Sequence, residues 1–139
     1  APPVGLCLGL TPKVRTPLPA DAGPAFHQFV EEYTSMEGEG QRYLKLWDRE
    51  AGSFGETAPV RALLFLDRVT EGDVALSDAS RADVVKSMVE TAFAPHLASG
   101  RLVSGLTALA GGAALHRLRF SSSREAAALI STRFRAAAS

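Results

Sequence analysis

An apolar run that follows Pro59 constrains the fold more than any other feature of the sequence. Residues 60–66 are apolar except for Arg61. A continuous run of this length is typical of a central strand covered on both faces, because a strand with one solvated face would alternate between apolar and polar residues. We therefore expect a sheet with helices packed against it.

Four segments have the apolar spacing or the start signals of helices. The first spans residues 22–36, with Asp21 as its N-cap. A second helix is predicted from Ser77, as N-cap, to about residue 93, and a third over residues 97–110. The fourth runs from about residue 123 to 136, and Ser122 with Glu125 forms the capping-box pattern at its start. The stripe of the first helix follows the i, i+3, i+4, i+7 rule with Phe26, Phe29, Val30 and Tyr33.

The strands are predicted between these helices. They cover residues 3–10, 41–47, 60–66 and 113–120, with a further turn and short strand within 70–76. Three prolines exclude a helix from residues 11–21, and residues 48–58 read as a polar loop. With 139 residues and 46% hydrophobic residues, the chain is predicted to be a single domain over residues 1–139. Its class is α+β (α/β-like), a mixed β-sheet flanked by helices.

The charge balance limits the classes of binding partner, and the cysteine content bears on the cellular compartment. Lys plus Arg and Asp plus Glu are both 15, so the formal net charge is zero. Nucleic-acid binders usually have a basic excess, and no stretch approaches the roughly 18 apolar residues of a membrane-spanning helix. We therefore expect no nucleic-acid or membrane partner, whereas a homo-oligomer is compatible with a neutral chain. The single cysteine, Cys7, fits a reducing compartment, and a cytoplasmic location is predicted.

The residues contain no complete catalytic motif. No G-x-x-x-x-G-K-[ST] loop occurs, and Lys86–Ser87 has no glycines before it. The serines at 121–123 are better explained by helix capping. The histidines lie far apart in sequence, which favours structural or solvent-exposed roles over a metal site; they are His27, His96 and His116. The carboxylates clustered within residues 31–39 are better explained as a solvated helix end than as acid–base groups; they are Glu31, Glu32, Glu37 and Glu39. No catalytic and no metal-binding residue is predicted.

Three basic residues in strand-like segments are the candidate site residues: Arg42, Lys45 and Arg61. A cation in a buried strand must be paired or must contact an anionic ligand. Internal salt bridges to Asp48, Asp67 or Glu56 are the favoured interpretation. Contact with a phosphate or with a protein partner is the alternative.

Several segments, in order, resemble the C-terminal half of proteins related to HPr kinase/phosphorylase. Arg42-Tyr43-Leu44 is similar to an Arg-Tyr-Leu strand of that family, and Pro59-Val60-Arg61 with the apolar residues after it is similar to a Pro-Val-Arg-apolar strand. Other similar segments are residues 3–12 (a strand and turn), Leu76-Ser77 (the opening of a helix that ends near Ala92-Phe93) and residues 115–120 (a last strand before a short helix).

The resemblance implies a fold like that of phosphoenolpyruvate carboxykinases, in a parent protein that is an ATP-dependent kinase or a degenerate relative. ATP and Mg²⁺ are implied for the parent only, because the family's nucleotide loop, catalytic acid and metal ligands lie upstream of the segments matched here. This chain would be the C-terminal portion, unable to hydrolyse ATP alone, and Arg42 and Arg61 would contact phosphate or a partner. An apolar strand that begins so near Ala1 also suggests a piece of something longer.

Two other functions remain open from the sequence. One is a non-enzymatic α+β domain that binds a protein partner. The other is a small-molecule-binding domain, which would need a deep apolar pocket.

Overall fold

The computed structural model describes residues 2–46, 52–92 and 96–135, and the chain folds into two compact units. The first unit comprises residues 1–5 and 58–121, and the second comprises residues 6–57 and 122–139. The elements in chain order are β1 (Val4–Leu6), β2 (Lys13–Arg15), α1 (Pro24–Tyr33), β3 (Thr34–Gly38), β4 (Gln41–Leu44), β5 (Thr57–Pro59), β6 (Ala62–Arg68), β7 (Ala75–Asp78), α2 (Arg81–Thr91), α3 (Ser99–Gly111), β8 (Ala114–Phe120) and α4 (Ser123–Arg135).

A mixed sheet in the order β6–β8–β7 forms the centre of the first unit. β8 pairs in parallel with β6 and antiparallel with β7, so that Leu118 lies between Leu66 and Leu76. The Leu118 side chain is completely buried. Helices α2 and α3 pack against each other, and each contributes one buried residue, Val84 and Ala110. The predicted α+β class with a mixed sheet is confirmed.

The apolar run forms a strand, but its predicted central place in the sheet is wrong. β6 lies at one edge of the sheet, β8 is central, and Leu66 is 61% exposed. Apolar content predicts how much of a strand is covered, but it does not say which strands are its neighbours. The place of β6 in the sheet is set by its parallel pairing with β8, a long-range contact that has no local signal.

The second unit contains an antiparallel sheet in the order β2–β4–β3. α1 packs on β4, and Val30 and Leu44 are buried. A two-residue turn, Glu39–Gly40, joins β3 to β4, and Gly40 takes the left-handed conformation (φ 66°) that an L side chain rarely adopts. The remaining strands, β1 and β5, form a two-stranded sheet.

The first helix is shorter than predicted at both ends. Its N-cap is Gly23, followed by Pro24, so Asp21 does not cap it. It ends at Tyr33, because residues 34–38 pair with β4 as β3. Pairing across the tight turn supplies backbone hydrogen bonds that compete with those of a longer helix.

Helix α2 begins three residues later than predicted. Ser77 lies in β7, opposite Arg117, and is not a cap. Ser80 is the N-cap: its hydroxyl oxygen accepts from the Asp83 amide at 3.1 Å, and the hydroxyl donates to the Asp83 carboxylate at 2.7 Å. Both serines are residues that helix N-caps favour. Because β7 extends through Ser77, the helix begins after Ser80.

The observed strand boundaries differ most from the predicted ones where glycines and prolines interrupt the apolar pattern. The strand predicted over residues 3–10 is only Val4–Leu6, and Gly9 has a left-handed φ of 61°. β2 lies within residues 11–21, from which the prolines exclude a helix, and β5 begins inside the predicted loop over residues 48–58. Trp47 and Phe93, at the ends of a predicted strand and helix, lie outside the described residues. The single-domain prediction for residues 1–139 stays a prediction.

Asp21 contacts the start of α4, a pairing across 101 positions of sequence within the second unit. Its Oδ2 accepts from the Ser122 hydroxyl at 2.6 Å and from the Arg124 amide at 3.3 Å. These hydrogen bonds, that from Ser122 above all, lower the pKa of the Asp21 carboxyl from its usual 3.8. Ser122 in turn accepts from the Glu125 amide at 3.3 Å, which confirms its predicted capping role.

Replacing Leu118 by Ala should destabilise the protein by about 2–5 kcal/mol, because the side chain is completely buried and would leave a cavity. Leu66, its partner in the adjacent strand, offers a matched control: Leu66→Ala should change the free energy of unfolding by less than about 0.5–1 kcal/mol. Urea unfolding measures both. Equal effects of the two substitutions would contradict the burial described here.

Replacing Asp21 by Ala should lower the midpoint of thermal unfolding at pH 7. The folded-state pKa of Asp21 is depressed, so its contribution to stability is complete above the unfolded value near 3.8 and is lost as pH falls through the lower folded value. The difference between wild type and variant should therefore shrink below pH 3.8. Asp73→Ala, in an exposed loop, is the control. A difference that is independent of pH down to the acid transition would contradict this role.

Candidate functional site

A shallow open groove of about 350 Å³ lies along the β3–β4 hairpin and the end of α1, in the second unit. Its lining is mostly polar: Glu31, Thr34, Ser35, Met36, Glu37 and Arg42. The groove brings one predicted site residue, Arg42, together with two glutamates of the acidic segment. It is not the deep apolar pocket that the small-molecule interpretation requires.

Arg42 is held by the hairpin register. The two-residue turn places Glu37 directly opposite Arg42, and the Arg42 Nε lies 2.8 Å from Glu37 Oε1. The Arg42 side chain is 29% exposed and that of Glu37 is 63% exposed. Arg42 therefore forms an ion pair, but its partner is Glu37 and not the predicted Asp67 or Glu56; the third predicted partner, Asp48, lies outside the described residues. An exposed pair of this kind contributes only about 0.2–1 kcal/mol to stability.

Neighbouring hydrogen bonds fix the hairpin that carries this pair. The Ser35 hydroxyl donates to the Tyr43 carbonyl at 3.2 Å, and the Gln41 side-chain amide donates to the Tyr43 hydroxyl at 2.8 Å. The Thr34 hydroxyl donates to the Val30 carbonyl at the end of α1. These hydrogen bonds connect the two strands of the hairpin, and its first strand to α1, beside Arg42.

The charge of the groove argues against a phosphate site. Two carboxylates, Glu31 and Glu37, line it with one guanidinium, Arg42. A phosphate would meet a net negative surface, and the Arg42 Nε already donates to a carboxylate. A polar or basic segment of a protein partner matches this lining better.

Lys45 and Arg61 do not line the groove. Lys45 follows β4 and is exposed, and its backbone amide donates to the Tyr33 carbonyl at 2.8 Å. Arg61 lies in the other unit, just before β6 begins, and is also exposed. The expectation that Arg61 interrupts a buried strand is wrong, because the strand starts at Ala62. An exposed guanidinium needs no internal partner.

The other titratable candidates occupy separate places. His27 and His96 are exposed. His116 lies on β8 with its Nδ1 3.3 Å from the Asp78 carboxylate, the residue opposite it on β7. The Cys7 thiol is half-buried and donates to the Gly52 carbonyl at 3.0 Å. The Lys86–Ser87 pair lies on α2, where Lys86 is exposed and 4.0 Å from Glu90.

The family resemblance implies ATP and Mg²⁺ only for another part of the parent protein. Within residues 2–46, 52–92 and 96–135, no group of three His, Cys, Asp or Glu side chains could hold a metal ion. The sequence also lacks a phosphate-binding loop, so no chemical step can be assigned to these groups in this chain.

Sequence reasoning missed Glu37 as the partner of Arg42, although a signal was present. Glu39–Gly40 lies between residues 37 and 42 at the spacing of a two-residue hairpin, which would place these two side chains opposite each other. The helical spacing instead predicts a helix as far as residue 36.

Comparison with known proteins identifies no relative: no family model, curated protein or solved structure matches the chain. Among the described residues, no helix is both long enough and apolar enough to cross a membrane. The family resemblance therefore stays a prediction that rests on the quoted segments.

A double-mutant cycle on Arg42→Ala and Glu37→Ala should give a coupling energy of about 0.2–1 kcal/mol, because the pair is well aligned but exposed. Salt at 1 M should reduce it. Lys86→Ala with Glu90→Ala, whose charged atoms are 4.0 Å apart on a helix, is a control with weaker expected coupling. A coupling energy of zero between Arg42 and Glu37 would contradict the ion pair described here.

Proposed function

We propose that this chain is the C-terminal portion of an ATP-dependent kinase related to HPr kinase/phosphorylase, or of a degenerate relative of such an enzyme. In this proposal the nucleotide and Mg²⁺ bind to another part of the parent protein, which is cytoplasmic. This chain contributes strands to the sheet and a surface that contacts a protein substrate or partner. Alone it neither binds nor hydrolyses ATP.

The observation that supports the proposal is that three of the resembling segments form separate strands, in the same order along the chain. Arg42-Tyr43-Leu44 lies within β4, the apolar residues after Pro59-Val60-Arg61 form β6, and residues 115–120 lie in β8, before α4. The Leu76-Ser77 segment does not follow, because it lies in β7 and not at the start of a helix. The support is therefore the order of the strand segments.

Arg42 is the residue through which a partner contact is proposed, with Lys45 close by in sequence. The acidic, hydroxyl-rich lining around Arg42 suits a polar or basic protein segment better than a free phosphate. Arg61, exposed in the other unit, is kept as a separate contact with phosphate or partner.

A non-enzymatic interaction domain is the second candidate, and exposed apolar side chains in the second unit favour it. Five large ones are 56–79% exposed: Leu6, Leu8, Leu10, Met36 and Phe54. Three of them lie within residues 6–10, and exposed apolar patches often mark protein-binding surfaces. Binding to a second copy of the chain would be one form of this function.

The intact mass of the natural protein separates the two candidates. The kinase proposal predicts a mass well above 14.7 kDa and a reading frame that contains a G-x-x-x-x-G-K-[ST] loop outside these 139 residues. A natural mass near 14.7 kDa would refute that proposal and leave the interaction domain, to be tested by capture of a protein partner.

A further inference from the structure

The two faces of the β2–β4–β3 sheet carry different side chains. Leu44 is buried on the face against which α1 packs, and Arg42 lies on the same face, because it is two residues away in the strand. Glu37 is opposite Arg42 and belongs to this face as well. This is the side of the candidate groove, where Glu31 of α1 lines the same space.

The other face of this sheet is basic. Side chains alternate along a strand, so Tyr43, with Gln41 before it and Lys45 after it, lies on the face away from α1. The register with β2 adds Lys13 opposite Tyr43 and Arg15 opposite Gln41. The three cations are exposed, and none of them forms an ion pair with a described residue. These five residues are called the basic face below.

No carboxylate of strands β2, β3 and β4 belongs to the basic face. Glu37 is the only acidic residue of these strands, and it lies on the other face beside Arg42. Glu39 lies outside the strands, in the turn between β3 and β4. Like charges on one surface repel each other, so an anion placed among these cations would relieve their repulsion.

Tyr43 adds a hydrogen-bond donor at the centre of the basic face. Its hydroxyl oxygen accepts from the Gln41 side-chain amide at 2.8 Å, and no acceptor for its own proton lies among the described residues. Gly38 of β3 leaves the surface beside the ring open, because a Cβ placed there would lie only 3.7 Å from Tyr43 Cε2. Cations and a hydroxyl donor are groups that bind anions.

We propose that the basic face binds an acidic segment of a protein partner, an extended chain with several Asp or Glu side chains. The cations are too widely spaced for one small anion: Lys13 and Arg15 are two residues apart on β2, which is about 7 Å, and Lys45 lies on the far side of Tyr43. Alternate side chains of an extended polypeptide repeat at the same spacing of about 7 Å, so each cation can meet one carboxylate.

The composition of the face favours an acidic polypeptide over a single-stranded nucleic acid. Surfaces that bind single strands stack successive bases on aromatic rings, and Tyr43 is the only aromatic residue of strands β2, β3 and β4. The formal net charge of the whole chain is zero, so it lacks the basic excess that attracts a phosphate backbone.

This inference goes beyond the proposed function and does not depend on it. It uses only described residues of this chain, and it assigns a contact to the face opposite the groove that contains Arg42. The kinase proposal and this inference can therefore fail separately.

Fluorescence anisotropy of a labelled octaglutamate peptide, titrated with the 139-residue chain, tests the proposal. We expect saturable binding in about 20 mM salt and affinity at least about tenfold lower in about 200 mM salt, because salt screens exposed charges. Amide NMR shifts during the same titration should change most for residues 13–15 and 41–45, which carry the basic face.

Two sets of substitutions separate this face from net charge. The triple variant Lys13→Gln, Arg15→Gln, Lys45→Gln should bind the peptide about tenfold more weakly, because three exposed ion pairs are lost. Tyr43→Phe, which keeps the ring and removes the donor, should weaken binding about two- to threefold. A control with the same change in net charge should alter the affinity less than about twofold. It replaces three exposed cations elsewhere: Arg68→Gln, Lys86→Gln and Arg101→Gln.

Four results would overturn the proposal. The first is the absence of saturable binding with the chain at about 1 mM, and the second is an equal loss of affinity in the two triple variants. Tighter binding of a thymidine octamer at the same salt would assign the face to single-stranded nucleic acid. Self-association of the chain that salt suppresses, and that the first triple variant loses, would assign it to a second copy.

Discussion

The parallel pairing of β6 with β8 is the interaction on which the first unit depends. It joins segments about fifty residues apart, places Leu118 in the interior and leaves one side of β8 for β7. A parallel pair cannot be closed by a tight turn, so the chain between its strands must cross over. That crossover contains β7, α2 and α3, and the packed helices are a consequence of the pairing.

The structure of the second unit depends on two local features, a tight turn and a helix packed on a strand, and on one contact between residues far apart in sequence. The Glu39–Gly40 turn sets the register that brings Glu37 to Arg42, and the packing of α1 on β4 buries Val30 and Leu44. The Asp21 carboxylate binds the start of α4, where free amide groups favour a negative charge. The candidate groove is formed by the hairpin and the end of α1, and its polar lining consists mainly of the hydroxyls of Thr34 and Ser35 and the charged groups of Glu31, Glu37 and Arg42.

Much of the fold could be predicted from periodicity and caps. The 3.6-residue spacing located α1, Ser122 with Glu125 located the start of α4, and apolar content located β6 and β8. The boundaries that could not be predicted depend on pairing with other elements. Residues 34–38 are compatible with the end of a helix, but in the fold they pair with β4 as a strand. Ser77 and Ser80 are both suitable helix caps by residue type, but Ser77 is part of β7, so Ser80 is the cap.

The candidate site was predicted only in part, for the same reason. Arg42 was singled out for its charge within a strand, but its partner depended on a turn that was not recognised. Arg61 was expected to be buried, and the start of β6 one residue later leaves it exposed. The contact between Asp21 and Ser122 has no sequence signal, because the residues that form it lie 101 positions apart.

We propose a division of labour, in which this chain supplies strands and a contact surface while another part of the same protein holds the nucleotide. Calorimetric titration of ATP with Mg²⁺, carried out in parallel on the 139-residue chain and on the natural protein, tests it most directly. The proposal predicts saturable binding by the natural protein and no binding by the 139-residue chain. Saturable binding of nucleotide by the 139-residue chain alone would contradict it.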